Sequence, residues 1–125
     1  MVFFAFGVLF VAHGLYMILL PSADPDHWRF YTSDPDVVAY LADEFRASGG
    51  LEVVLGVLTM IAAVRWFRTG DPWAWWAFWV FPAVFAWGMA TTWAWLLWLV
   101  LLLAAVGALI GTYRRFFASD TAIKH

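Results

Sequence analysis

The 42 residues from Pro72 to Tyr113 contain no Asp, Glu, Lys, Arg or His. As one α-helix they would extend about 63 Å at 1.5 Å per residue, roughly twice the hydrocarbon thickness of a bilayer. A run this apolar is not accommodated by water, and it is too long for one crossing, so it has to reverse. Gly88, Thr91 and Thr92 are its only turn-prone cluster, which predicts two helices, 73–89 and 93–111, joined by a tight turn. The rest of the chain repeats the pattern. Phe3–Leu20 is uncharged and stops at Pro21; a further apolar run, Gly49–Val64, extends at both ends to about 47–66. The expected fold is all-α: one domain over residues 1–125, a polytopic antiparallel four-helix transmembrane bundle. Its expected spans are 3–20, 47–66, 73–89 and 93–111, with an outer loop at 21–34.

Composition excludes the main alternatives. Hydrophobic residues make up 65% of the chain and charged residues 13%, against about 45–50% and about 25% in a soluble domain. A soluble enzyme is ruled out, and so is a disordered chain, which needs low hydrophobicity and high charge. Seven Lys+Arg against nine Asp+Glu leave a net charge of -2 with no basic stripe, so no nucleic-acid partner is expected. Without cysteine there is no disulfide, thiol redox centre or iron–sulfur cluster.

The connections carry the orientation. Ser33 and Asp34 precede Pro35, a capped helix start with proline in its first turn. Val37, Leu41 and Phe45 then fall on one face, opposite Asp36, Asp43 and Glu44, so the second helix begins as an amphipathic turn at the headgroups. Arg65 and Arg68 lie at the Thr69-Gly70-Asp71-Pro72 turn, and Arg114, Arg115 and Lys124 follow the last span. Asp24, Asp26, Asp34, Asp36, Asp43 and Glu44 occupy the other side, with Arg29 and Arg46. The positive-inside rule places both termini in the cytoplasm and the acidic loop outside, in a multi-pass protein of the inner (plasma) membrane. The first run lacks a basic leader and is long for a signal-peptide core, so Pro21-Ser22-Ala23 is not expected to be a cleavage site. The Asp-Pro pairs at Asp24 and Asp34 read as turn starts, with cation gathering by the four nearby aspartates as the other option.

Ten tryptophans and twelve phenylalanines take the aromatic share to 21%. Trp66, Trp73, Trp75 and Trp76 are expected in an inner interfacial belt. Trp87, Trp93 and Trp95 belong to an outer one, with Trp28 and Tyr31 in the outer loop. Trp79 and Trp98 are deeper. They either fill space or stack on a flat ligand such as a quinone, a carotenoid or a chlorophyll or haem ring. Pro82 is expected to kink its helix.

Two ionisable residues fall well inside the spans, His13 and Glu52, at similar depth on antiparallel neighbours. Gly49, Gly56, Thr59 and Ala63 recur around Glu52 as a small-residue face, which predicts that Glu52 points into the bundle and bonds His13, with Tyr16 one turn along. An intramembrane carboxylate is a functional candidate; a polar contact holding two helices together, or a Glu52 near enough to the surface to reach water, is the competing reading. His13 as a haem or chlorophyll ligand is a further option, but the spans offer no second histidine for bis-histidine ligation. No Ser/His/Asp order, phosphate loop or HExxH occurs, and no metal site is expected.

The stretch Glu44-Phe45-Arg46-Ala47-Ser48-Gly49-Gly50, then Gly56-Val57-Leu58-Thr59 and Ala62-Ala63, resembles the second helix of the DoxX-like small four-helix bacterial membrane proteins. Relatives of unknown function in that group carry an arginine just before a glycine pair, as Arg46 stands here. In DoxX proper a glutamate usually occupies that place, and here Glu44 is displaced from it. The resemblance implies a four-span layout, helix packing at Gly49, Gly50 and Gly56, and a companion subunit of quinone-linked or oxidative-stress membrane complexes.

The leading expectation is therefore a tryptophan-rich accessory subunit, not a self-sufficient enzyme, with membrane lipid and larger membrane subunits as partners. A quinone-, lipid- or pigment-binding protein or enzyme using Glu52 and His13 is the alternative. A small oligomeric transporter with Glu52 as proton or cation site is the third.

Overall fold

The structure is a computed structural model that describes residues 1–19, 28–92 and 94–117. Pro21, Asp24 and Asp26 of the outer loop, Trp93 and Lys124 lie outside the described residues. The α-helices lying wholly within the described residues are, in order, α1 (Val2–Leu19), α2 (Pro35–Ala62), α3 (Pro72–Ala77), α4 (Val80–Thr91) and α5 (Trp95–Phe117), with no strand among those residues. Three helical stretches are long and apolar enough to cross a membrane: Val2–Leu19, Pro35–Phe67 and Trp95–Phe117. The chain is an all-helical membrane protein.

The helix starts follow the local chemistry. Asp34 caps α2, its Oδ1 accepting from the Asp36 amide at 2.9 Å, ahead of Pro35. Asp71 caps α3 in the same way, accepting from the Trp73 amide at 3.0 Å, ahead of Pro72. Each cap satisfies an amide that the first helical turn leaves without a partner. Between them, α2 continues into a π turn, Ala63–Phe67, closed by Arg68 N–H to Ala63 C=O at 3.1 Å. The chain then reverses at Gly70, whose φ of 84° is left-handed backbone open to glycine at little cost.

The expected helix 73–89 is two helices, not one. Pro82 has no N–H to give Phe78 C=O. That carbonyl instead accepts from Phe81 at 3.2 Å, a tighter turn that separates α3 from α4. The 12 residues of α4 rise about 18 Å, short of the roughly 30 Å hydrocarbon core. The last helix runs to Phe117, six residues beyond the expected end at 111.

Two compact units divide the chain: Phe4–Met60, and Met1–Phe3 together with the residues from Ile61 onward. In the first, α1 and α2 meet at glycines. A Cβ placed on Gly14 would stand 2.5 Å from Gly49 O, and one on Gly49 would stand 2.6 Å from Gly14 O. The relation repeats one heptad away: a Cβ on Gly7 would lie 2.7 Å from Gly56 O, and one on Gly56 would lie 2.6 Å from Gly7 O. These backbones approach so closely that only a hydrogen fits, the small-residue packing by which membrane helices associate. Gly50 has nothing within 4 Å, so of the three glycines expected at a helix contact, Gly49 and Gly56 make one and Gly50 does not.

The second unit has an aromatic core. The Phe3 ring stacks on Phe78 at 4.4 Å and meets Phe67 at 5.0 Å, while Phe67 also packs on Phe116 at 4.8 Å. The π turn brings Phe67 into this cluster by shifting helical phase. Trp75, expected in the inner belt, is buried here. Its indole N–H donates to Leu109 C=O at 2.9 Å, satisfying the polar atom that burial would otherwise strand. Trp66, Trp73, Trp76, Trp87 and Trp95 are exposed, as belt residues are. Trp28 is also buried, edge-on to Phe45 at 4.6 Å.

Candidate functional site

The glycine contacts of α1 and α2 set the register of the polar pair. His13 adjoins Gly14, and Glu52 lies three residues after Gly49 and four before Gly56. His13 Nδ1 and Glu52 Oε2 are 2.6 Å apart. The tautomer sets the direction of this bond: against an ionised carboxylate, which only accepts, Nδ1–H donates. The Tyr16 ring stacks on the imidazole at 6.3 Å with 26° between planes. His13, Glu52 and Tyr16 are thus brought together.

The pair faces outward. The His13 side chain is 61% exposed and that of Glu52 is 26% exposed, and Tyr16, Leu9, Leu51 and Leu55 around them are exposed as well. The buried face of α2 in this unit consists of Gly49 and Gly56, and Glu52 emerges beside that face, not from its centre. Sequence periodicity put the glutamate on the small-residue face; the closeness of the backbones leaves no room there for a carboxylate. Arg46 is elsewhere occupied, donating to Asp43 at 3.0 Å on its own helix. No hydrogen bond joins Thr59 to His13 or Glu52 among the described residues.

Gly7 and Gly14 were not singled out by sequence reasoning. Their signal was present: Gly7 and Gly14 are spaced by seven residues, as are Gly49 and Gly56, and two such pairs on antiparallel helices can match contact for contact.

The two deep tryptophans have different roles. Trp98 lies against Gly88, where an added Cβ would be 2.5 Å from its ring. Its N–H donates to the Thr92 hydroxyl at 2.7 Å, which donates to Gly88 C=O at 2.9 Å. Trp98 therefore clamps the α4–α5 turn, the reversal expected at Gly88, Thr91 and Thr92. Trp79 has a buried Nε1 without an acceptor among the described residues. It lines a cleft of about 470 Å³ with Trp75, Ile110, Gly111, Tyr113 and Arg114.

Chemically, the polar pair offers a carboxylate holding an imidazole by one nitrogen, an arrangement that fixes the ring and leaves Nε2 to face outward. No group of three His, Asp or Glu side chains converges for a metal among the described residues. Set against models of known families, characterised proteins and solved structures, the chain matches none.

Proposed function

We propose that this chain is a small multi-pass accessory subunit that docks onto a larger redox or energy-converting complex of the inner membrane. The observation that carries the reading is the His13–Glu52 pair on an exposed face of two apolar helices. A polar pair turned toward hydrocarbon is costly, and intramembrane ionisable groups almost always face protein or a water-filled cavity. A partner helix over α1 and α2 supplies that cover and a polar group for His13 Nε2. The resemblance of helix 2 to the DoxX-like proteins supports the same assignment. In this reading the chain crosses four times, the α3–α4 segment making the third crossing, with both termini and the arginine-rich turn cytoplasmic.

The test is gentle extraction from native membranes. The chain should comigrate with larger subunits, and His13→Leu/Glu52→Leu should free it while remaining folded. A free monomer or self-oligomer of the unaltered chain overturns the proposal.

A second reading rests on the stacking of Tyr16 on His13: a quinone-class headgroup bound at this face, its reduced hydroxyl donating to Nε2. Quinone that copurifies with the chain and is lost in Glu52→Gln favours it over subunit docking.

A further inference from the structure

The cleft in the second unit has the composition of a lipid site. Its volume, about 470 Å³, lies in the range of small-ligand pockets, about 300–1,000 Å³. Trp75 and Trp79 form an aromatic wall, fixed by the bond from Trp75 to Leu109 and by the edge-to-face contact of the two indoles at 5.7 Å. On α5, Gly111 leaves open space where a side chain would stand, flanked by Ile110 and Tyr113. Arg114 stands at the edge. It is the first charged residue after the uncharged run from Pro72 to Tyr113, so it sits where the hydrocarbon ends.

Charge decides the ligand. The described residues of this unit include Arg65, Arg68, Arg114 and Arg115 against a single acid, Asp71, and Asp71 Oδ1 is engaged as the α3 cap. Arg115 donates to the Arg68 carbonyl. The Arg114 guanidinium has no acidic partner among the described residues. An apolar wall ending at a guanidinium complements a molecule with a hydrocarbon chain and an anionic head. Arginine binds phosphate oxygens in pairs, and basic pockets between membrane helices are known binding places for anionic headgroups.

We propose that this cleft holds one anionic phospholipid, its phosphate on Arg114 and its upper chain along Trp75, Trp79 and Ile110 over Gly111. The site is independent of the His13–Glu52 face and of the subunit role assigned to it.

The experiment uses the full chain, delipidated in neutral detergent. Phosphatidylglycerol or phosphatidylcholine with identical acyl chains is then added, and binding is read by native mass spectrometry with thermal unfolding alongside. One phosphatidylglycerol should be retained at about tenfold lower concentration than phosphatidylcholine, because both heads offer a phosphate but the choline ammonium sets a like charge beside Arg114. Arg114→Gln should bring the two lipids to parity, while Arg65→Gln leaves the preference in place. Gly111→Leu, which enters open space, should reduce uptake of both lipids without lowering the melting temperature of the lipid-free protein. Equal binding of the two lipids, an unchanged preference in Arg114→Gln, equal effects of Arg65→Gln and Arg114→Gln, or full uptake by Gly111→Leu would each overturn the proposal. So would a melting shift from inorganic phosphate alone equal to that from the lipid.

Discussion

At the scale of single residues, the chain concentrates its polar cost in one contact. His13 and Glu52 satisfy each other, so removing either strands the other in apolar surroundings. Breaking a fully buried pair costs about 3–5 kcal/mol; Glu52 is partly exposed, which lowers the expectation for His13→Leu to about 2–3 kcal/mol. Glu52→Gln keeps an acceptor for Nδ1–H and should cost about 1 kcal/mol. The double variant His13→Leu/Glu52→Leu leaves nothing unpaired and should fall within about 1 kcal/mol of the parent. Reversible unfolding in bicelles measures all three together with the single Glu52→Leu variant, and a double variant whose loss equals the sum of the His13→Leu and Glu52→Leu losses would show that the pair is uncoupled. Trp98 makes a separate expectation. Gly88→Ala puts a methyl group into its ring and should destabilise by about 1–3 kcal/mol, seen as a lower melting temperature in detergent.

At the scale of elements, glycines that look alike in sequence separate by what faces them. Gly14→Ala drives a methyl group against the Gly49 carbonyl, so α1 and α2 must part and lose contacts along both helices. The expected loss is about 2 kcal/mol or more. Gly50→Ala meets nothing and gains helix propensity, a stabilisation of about 0.5–1 kcal/mol. Melting temperatures should move in opposite directions, and a common direction would show that α1 and α2 do not meet as described. This contrast also marks what was legible in the sequence. The apolar runs, the cap at Asp34, the turn at Thr69–Pro72 and the reversal at Gly88–Thr92 follow from local pattern, and the pairing of His13 with Glu52 follows from their similar depth on antiparallel helices. The outward turn of the pair does not, because it depends on how closely two backbones approach, a quantity fixed by both helices together. The break at Phe78–Trp79 was half legible: Pro82 announced a kink. That the helix divides, and that a π turn just before it redirects Phe67, depends on filling the core around Phe3. Trp75 was placed at the interface because its neighbours are there; only the approach of α5 shows its N–H bonded and buried.

At the scale of the whole molecule, the α3–α4 segment decides the number of membrane crossings. Val2–Leu19, Pro35–Phe67 and Trp95–Phe117 each suffice for a crossing, whereas α3 and α4 are separate helices whose combined stretch, Pro72–Thr91, would rise about 30 Å if the break bends it little. If that stretch crosses, there are four crossings and the termini share a side. If it dips in and returns, there are three and they do not. The flanking arginines favour four, since Arg65, Arg68, Arg114 and Arg115 are then gathered on one face. The chain contains no cysteine, so single cysteines at the exposed positions Ser33, Thr69 and Thr91 report without background. With four crossings, an impermeant maleimide should label Ser33→Cys and Thr91→Cys in intact spheroplasts, and Thr69→Cys only after permeabilisation. Labelling of Thr91→Cys together with Thr69→Cys would instead make Pro72–Thr91 a re-entrant pair. That outcome would leave the arginines after α5 on the side opposite Arg65 and Arg68, against the charge rule that motivates the four-crossing topology.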